Sequence, residues 1–287
     1  MTIIDAHHHF WDPDAGDYGW LSGPYAPLKR VFSPDDLRPA LTAAGVSSTV
    51  LVQTRASLAE TRQFLALAEA QDFIAGVVGW VDLTAPDVDA VLADLKAGPG
   101  GRRLVGIRHL VQDEADPDWL RRVEPRRGLA AVARHGLVYD LLLKPRNLPA
   151  ALDTVADLPD LRFVIDHLAK PDIKGGGFAA WSQLMQPFSL HRDHVWCKLS
   201  GMVTEADWQS WRPADLAPYV TQALSLFGAD RCLFGSDWPV CLVAADYGRV
   251  VSALSECLGG LDDAEREQVF AGSARELYQL GGKGGRS

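Results

Sequence analysis

His7 and His9 stand two residues apart at the end of a short apolar run near the beginning of the chain. On a β-strand alternate side chains point to one face, so these two imidazoles would point together and His8 would point the opposite way. Two imidazoles on one face can hold a single divalent ion. The isoleucines before the triplet and the aromatic residues after it are typical of a folded chain rather than of an expression tag.

Two further polar residues close strand-like apolar runs: His167 ends Val-Ile-Asp-His and Asp237 ends Leu-Phe-Gly-Ser-Asp. In a parallel barrel the carboxyl ends of the strands meet at one mouth, where these side chains would join the two N-terminal histidines. Three imidazoles and one carboxylate suit Zn²⁺ or a similar transition ion, with room for a water. Each residue also has an ordinary structural explanation, a hydrogen-bonded core histidine for His167 and a helix N-cap for Asp237.

Arg108 and His109 end another of these runs. A guanidinium at the mouth of a barrel can hold carbonyl, hydroxyl or carboxylate oxygens by two-point contact, which makes Arg108 a candidate for substrate binding and catalysis. His109 could contact the substrate, cap a helix or face solvent. Gln53 closes the second run, where its amide could donate to a substrate hydroxyl or satisfy a backbone group.

Trp20, Trp80 and Trp238 lie near the ends of the runs or in the first long loop, and their flat faces would suit the C–H face of a sugar ring. Because aromatic side chains are also common core residues, burial in the core is the alternative for each of them. Lys198 is a charged residue inside a strand-like run, which indicates either a buried ion pair or a catalytic role.

The elements that would position these residues recur along the whole chain. Strand-like apolar runs occupy residues 3–7, 49–53, 74–81, 104–109, 137–143, 162–167, 195–199 and 232–236. About eight strands close a (β/α) barrel, and several runs are almost continuously apolar, as expected of strands covered on both faces.

Helical patterns fill the gaps between the strands. Ser57 and Glu60 form a capping-box pattern at the start of one helix, and further helices are predicted at residues 87–96, 119–134, 148–156, 214–227, 246–258 and 262–280. The alternation predicts an α/β fold, a single-domain (β/α)8 TIM barrel over residues 1–280, followed by a flexible glycine-rich tail at 281–287. The irregular segments 10–32 and 170–177 would lie at the mouth, where active sites are built.

The composition narrows the function classes. The chain has 287 residues, 47% of them hydrophobic, and can bury a large core. Its net charge of -9 disfavours nucleic acid as a partner. The four cysteines show no CxxC spacing, and the sequence has neither a basic leader nor an apolar run of ~20 residues, so we expect a cytoplasmic protein without a membrane partner. Nothing in the sequence predicts an oligomeric state.

Several motifs taken together resemble a known family. They are Ile-Asp-Ala-His-His-His-Phe-Trp-Asp-Pro, Gly-Ile-Arg-His-Leu-Val-Gln-Asp-Glu, Val-Ile-Asp-His-Leu-Ala-Lys-Pro, Cys-Lys-Leu-Ser-Gly and Phe-Gly-Ser-Asp-Trp-Pro-Val. In this order they resemble the amidohydrolase superfamily, and within it the lactonase branch, which includes sugar lactonases of the L-fuconolactonase and L-rhamnonolactonase type. The resemblance spans residues 3 to about 280 and does not specify a substrate.

The resemblance implies roles for the candidate residues. His7 and His9 match the histidine pair of the first strand, His167 the histidine of the sixth, and Asp237 the aspartate of the eighth, which handles the proton of the attacking water. Members of the superfamily hold from two metal ions to none, and some lactonases of this branch work without a metal. We expect one divalent ion held by these four residues, with zinc as the first candidate. No lysine stands in a clear bridging position, which disfavours a site with two ions.

The most favoured function is therefore hydrolysis of a small-molecule lactone, such as the lactone of a sugar acid. Asp237 would act as general acid and base, and a metal, His167 or Arg108 would polarise the carbonyl. Three alternatives remain: a metal-dependent decarboxylase of the same superfamily, a non-catalytic barrel that binds a metal or a sugar, and amide hydrolysis with the same water-activating groups.

Overall fold

The computed structural model describes residues 2–281. Its eight parallel strands form one sheet in the order of the sequence. The strands are β1 (Ile3–His8), β2 (Val46–Val52), β3 (Ile74–Gly79), β4 (Leu104–His109), β5 (Val138–Leu141), β6 (Arg162–Ile165), β7 (Val195–Leu199) and β8 (Cys232–Phe234). All eight agree with the strand-like runs of the sequence.

The sheet closes on itself where the end of β1 meets the segment that follows β8. The backbone N–H of Asp237 donates to the carbonyl of His7 over 2.8 Å, and the N–H of His9 donates to the carbonyl of Trp238 over 2.7 Å. The structure therefore confirms the predicted (β/α)8 barrel. The tail expected at residues 281–287 lies outside the described residues, apart from Gly281.

Helices connect the strands around the outside of the barrel. They are α1 (Pro34–Ala44), α2 (Leu58–Ala70), α3 (Val88–Ala97), α4 (Val123–Arg134), α5 (Leu148–Asp157), α6 (Phe178–Met185), α7 (Met202–Glu205), α8 (Pro213–Phe227), α9 (Tyr247–Cys257), α10 (Asp263–Glu267) and α11 (Ser273–Tyr278). Among the helices of residues 2–281, none combines the length and the apolar character that crossing a bilayer requires.

Two of the predicted helices are shorter than expected. The pattern at 119–134 begins with a separate 3-10 turn, Trp119–Arg121, because Arg122 is extended and interrupts the helix before α4. The pattern at 262–280 is divided into α10 and α11 by one π-helical turn, Gln268–Gly272.

The inside of the barrel holds the smaller of two apolar clusters. This cluster takes Val138 from β5 and Val164 from β6, and it adds Leu277 and Tyr278 from α11. The carbonyl of Leu277 accepts from Arg162, the first residue of β6, so α11 covers the end of the barrel where the strands begin. The opposite end, where the strands finish, is left open for a site.

Candidate active site

Strand β1 supplies two of the site histidines. The Nε2 atoms of His7 and His9 lie 3.1 Å apart, and Nδ1 of His9 bonds the carbonyl oxygen of Val52 over 2.8 Å. His8 points elsewhere, and its Nε2 lies 2.8 Å from Oγ1 of Thr49. The side chains therefore divide as strand alternation predicts, with His7 and His9 converging inside the barrel mouth.

His167 and Asp237 complete the cluster, but neither lies at a strand end as the sequence suggested. β6 ends at Ile165 and β8 at Phe234, and both residues adopt the left-handed conformation, with φ of 52° at His167 and 56° at Asp237. These turns bring the two side chains together. One oxygen of Asp237 lies 3.5 Å from His9 Nε2 and 3.8 Å from Nε2 of both His7 and His167.

The backbone packs closely against two of these imidazoles. Nδ1 of His167 lies 2.8 Å from the hydroxyl of Ser200, and a Cβ added at Gly201 would come within 2.6 Å of the same nitrogen. A Cβ at Gly235 would lie 2.7 Å from Cβ of His7. Glycine at both positions lets the backbone approach the rings and restricts where they can point.

Asp5, which the sequence interpretation did not single out, supports the segment that carries Asp237. Its carboxylate accepts from the backbone N–H of His7 (3.1 Å) and of Ser236 (2.8 Å). The hydroxyls of Ser236 (2.6 Å) and Tyr247 (3.0 Å) donate to its other oxygen. Ser236 Oγ also accepts from the N–H of Trp238 over 3.0 Å, so both neighbours of Asp237 are tied to Asp5 or Ser236.

Arg108 lies beneath the histidines and most of its donors are occupied. Nη1 donates to Asp166 over 3.0 Å and lies 3.2 Å from Nε2 of His7, while Nη2 donates to the carbonyl oxygen of Gln53 over 2.5 Å. The guanidinium is almost fully buried, and Nε has no partner within residues 2–281. Arg108 is thus held in place beside the histidine cluster.

Lys198 forms a buried ion-pair network, which is one of the two roles that its place in the sequence indicated. Its ammonium lies 2.5 Å from Asp140 and 2.9 Å from Asp166, and 3.2 Å from Nδ1 of His7. The hydroxyl of Tyr278 also donates to Asp140. Asp140 and Asp166 were missed from the sequence, where the available signal was a carboxylate at the end of an otherwise apolar strand.

The cluster combines the neutral imidazoles of His7 and His167 with the ionised carboxylate of Asp237. Burial lowers the pKa of His167 to about 4, and burial also holds the pKa of His7 well below its ordinary value. Burial alone would raise the pKa of Asp237, but the neighbouring His167 and His9 outweigh it and keep this pKa below its usual range. Near neutral pH the carboxylate can therefore accept a proton.

These residues also fit a divalent metal ion. His7, His167 and Asp237 each offer a ligand atom, all within 4.8 Å of one another, and His9 Nε2 lies beside them. Neutral imidazole nitrogens and one carboxylate oxygen are ligands that zinc prefers. The second-sphere contacts of His9 with Val52 and of His167 with Ser200 are those expected of metal-binding histidines.

A cavity of about 630 Å³ opens above the cluster. Its wall includes His9, Arg108, His167 and Asp237 from the site and Trp20 from the long loop after β1. This volume suits a small-molecule ligand. The residues brought together at the mouth are thus those proposed for catalysis, with one of the aromatic candidates above them.

The other four candidates for substrate binding do not line this cavity. The amide of Gln53 donates to the carbonyl oxygen of Arg108. Nε1 of Trp80 donates to Nδ1 of His109 over 3.1 Å. Trp238 is buried against the rings of Phe10 and Phe32. Contact of these four residues with a substrate stays a prediction.

A parallel barrel with a cluster of three imidazoles and a carboxylate at its mouth, of which His9, His167 and Asp237 line a cavity, has the architecture of a barrel hydrolase. The model of the amidohydrolase family matches residues 4–280. The chain belongs to this family.

Two curated relatives and a solved structure align with nearly the whole chain. It is 40% identical to the L-fucono-1,5-lactonase of Burkholderia ambifaria, over 98% of this chain and 97% of that protein. It is 38% identical to the L-fucono-1,5-lactonase of Burkholderia multivorans, over 96% of each. The crystal structure of a zinc-bound amidohydrolase from Burkholderia multivorans superposes with a TM-score of 0.91 at 38% identity, covering 98% of this chain and 100% of that one.

Proposed function

We propose that this protein hydrolyses the lactone of a sugar acid, with L-fucono-1,5-lactone as the first candidate. The observation that carries the proposal is the position of Asp237, whose carboxylate contacts the imidazole cluster and also faces the cavity. The identity of 40% to an L-fucono-1,5-lactonase supports the choice of substrate. The four free cysteines fit the cytoplasmic location that we assign to the enzyme.

In the proposed reaction, the oxygen of a water attacks the lactone carbonyl carbon while Asp237 takes its proton. The carbonyl π electrons move onto oxygen to give a tetrahedral oxyanion. Collapse of this intermediate breaks the bond to the ring oxygen, and Asp237 returns its proton to that oxygen. The hydroxy acid that forms ionises at neutral pH, so each turnover releases one proton.

His9 and His167 orient Asp237, and Arg108 adds a fixed positive charge below the reacting carbonyl. His7, His9, His167 and Asp237 would hold one divalent ion, with zinc the first candidate. When bound, such an ion lowers the pKa of a water and polarises a carbonyl. The imidazoles of His7 and His167 are neutral near pH 7, so they can bind a metal ion when one is present and otherwise remain as neutral hydrogen-bonding groups beside Asp237.

The cavity supports a small polar substrate with an apolar face. Trp20 is 40% exposed and packs at an angle on Trp11, so its ring can contact the C–H face of a sugar. We therefore assign a direct substrate contact to Trp20.

The test is a panel of aldonolactones that includes L-fucono-1,5-lactone, assayed by proton release with a pH indicator. The expected result is ring opening well above the uncatalysed rate, with one proton and no carbon dioxide per turnover. Repeating the assay after dialysis against a chelator and after addition of zinc shows whether the metal contributes. Release of carbon dioxide from an acid substrate, or no opening of any lactone, would overturn the proposal.

A further inference from the structure

Lys170 faces the same cavity as Asp237 and His167 without a structural partner of its own. It lines the cavity wall together with both residues. Within residues 2–281 its side chain makes no hydrogen bond to protein and has no carboxylate within ion-pair distance. In contrast, Lys198 beneath the site contacts two carboxylates, and Lys144 on the cavity wall lies 3.8 Å from Asp113. Lys170 is thus a cation available to a ligand.

The backbone holds Lys170 in place at a conformational cost. Four consecutive residues, His167 to Lys170, are left-handed with φ between 51° and 56°. This conformation is unfavourable for every residue except glycine, and runs of it are rare because the costs add. The turn is fixed by a 2.8 Å bond from the N–H of Lys170 to the carbonyl of His167. Nε1 of Trp181 donates to the carbonyl of Leu168 over 2.6 Å within the same turn.

The turn places His167 and Lys170, three residues apart, on one wall of the cavity. The charge of Lys170 therefore faces the same space as Asp237. Strained backbone conformations are common at functional sites, so a strained turn that places an unpaired cation on a cavity wall indicates a function for that cation.

Arg108 is less suited than Lys170 to bind an oxygen that becomes negatively charged during the reaction. Its Nη1 and Nη2 already donate to Asp166 and Gln53, which leaves few donors for a substrate oxygen. The ammonium of Lys170 has three donors and a flexible stem. On the cavity wall, Lys170 is therefore better placed to bind an oxygen that becomes negative.

We propose that Lys170 binds the lactone carbonyl oxygen and stabilises the tetrahedral oxyanion, an inference that rests on the proposed lactone hydrolysis. As water adds to the carbonyl carbon and Asp237 takes the proton, the electron pair of the broken π bond comes to rest on the oxygen beside Lys170. When the ring C–O bond breaks, that pair re-forms the carbonyl. The product carboxylate then keeps a negative oxygen against the same ammonium.

The experiment compares Lys170→Met and Lys170→Arg with the wild-type enzyme. All three side chains occupy the same left-handed backbone position, so the variants share its conformational cost. Lys170→Met should lower kcat by about 10²- to 10³-fold with KM changed much less, as for the loss of one oxyanion donor. Lys170→Arg should recover part of the loss. Lys174→Met, an exposed lysine of the same loop that pairs with Asp207, is the matched control and should keep wild-type activity.

Binding of the aldonate product by calorimetry gives a second measurement, and its affinity should fall in Lys170→Met. A structural role, such as attraction to the cavity residue Glu205, would instead lower Tm in Lys170→Met and in Glu205→Gln alike. Lys170→Gly further separates the structural role from the oxyanion-binding role, because glycine suits the left-handed backbone position. This variant should unfold at no lower temperature than Lys170→Met and should be equally inactive.

The possible failures are distinguishable. An active wild-type enzyme whose Lys170→Met variant keeps kcat within about threefold would overturn the role of Lys170 alone. A wild-type enzyme that opens no lactone would overturn the proposed function, and the assignment of Lys170 with it.

Discussion

Nδ1 of His7 lies 3.2 Å from the ammonium of Lys198, deep in the barrel. The same ammonium contacts Asp140 and Asp166, so the buried cation faces two carboxylates. This arrangement satisfies a cation that is fully buried. It also joins the candidate ligand His7 to the packed interior of the barrel.

Replacing Lys198 by Met should destabilise the protein strongly. The change leaves Asp140 and Asp166 buried without their main counter-charge, which costs about 3–5 kcal/mol when one partner of a buried pair is removed. The free energy of unfolding from denaturant titration measures the effect. The double variant Lys198→Met with Asp140→Asn is the control and should recover part of the loss. A single variant within about 1 kcal/mol of wild type would contradict the network.

His8→Gln should leave activity largely intact, because His8 contacts Thr49 rather than the reacting cluster. His9→Gln is the matched substitution on the other face and should reduce turnover markedly. The two variants are compared by kcat for lactone opening. An inactive His8→Gln enzyme with a normal Tm would show that the assigned orientation of the triplet is wrong.

His8 should also contribute to acid unfolding. Burial lowers its pKa to about 3, whereas an unfolded histidine titrates near about 6.5. Its contribution to stability is therefore present above about pH 6.5 and is lost as the pH falls toward 3. Between pH 6.5 and 4, the free energy of unfolding should depend less steeply on pH in His8→Gln than in the wild type, by about 1.4 kcal/mol per pH unit. Equal slopes for the two proteins would contradict a buried neutral His8.

Ser236→Ala should impair catalysis through the position of Asp237. The hydroxyl of Ser236 donates to Asp5 and accepts from the N–H of Trp238, so its loss frees the Trp238 side of the segment that carries Asp237 and removes one of two bonds to Asp5 on the other side. We expect kcat to fall roughly tenfold with a smaller change in KM. Tyr247→Phe removes a bond to the same oxygen of Asp5 without freeing this segment, and it should have the smaller effect. An equal loss in both variants would argue against positioning through Ser236.

Zinc should bind at a single site per chain, because residues 2–281 contain one group of three candidate ligands, His7, His167 and Asp237. Calorimetric titration of chelator-treated protein measures the stoichiometry, and His167→Gln should weaken the binding. Two ions per chain, or affinity unchanged in His167→Gln, would contradict the assigned ligands.

Much of the barrel could be predicted from the sequence because its strands are apolar runs between helical patterns. Helices α1, α6 and the short α7 were not predicted. For α1 the signal was present, since Ser33, Pro34 and Asp36 form a capping box with proline at the first turn. The helix α6 follows a glycine-rich segment, which was interpreted as part of a loop.

The site was only partly predictable. His7, His9, His167 and Asp237 stand out as polar residues after apolar runs, and the barrel brings them together. The left-handed turns at His167 and Asp237 could not be derived from local preference, because positive φ is uncommon in all non-glycine residues even though Asp and His adopt it more often than most.

The supporting network depends on tertiary contacts. Asp5 meets Ser236 across 231 positions of the sequence, and Lys198 meets Asp140 through the interior, past the intervening strand β6. Trp20 lines the cavity wall, whereas Trp238 is buried in the core. The residue type, which is the same at both positions, could not predict this difference.

The most direct test of the account is the turnover of Asp237→Asn on L-fucono-1,5-lactone, measured by proton release beside the wild-type enzyme. Asparagine keeps the size of the side chain but cannot accept the water proton. We expect active wild-type enzyme and a loss of about 10²- to 10⁴-fold in kcat for the variant, with Tm and circular dichroism close to wild type. Near-normal turnover of folded Asp237→Asn would contradict the central role of this carboxylate.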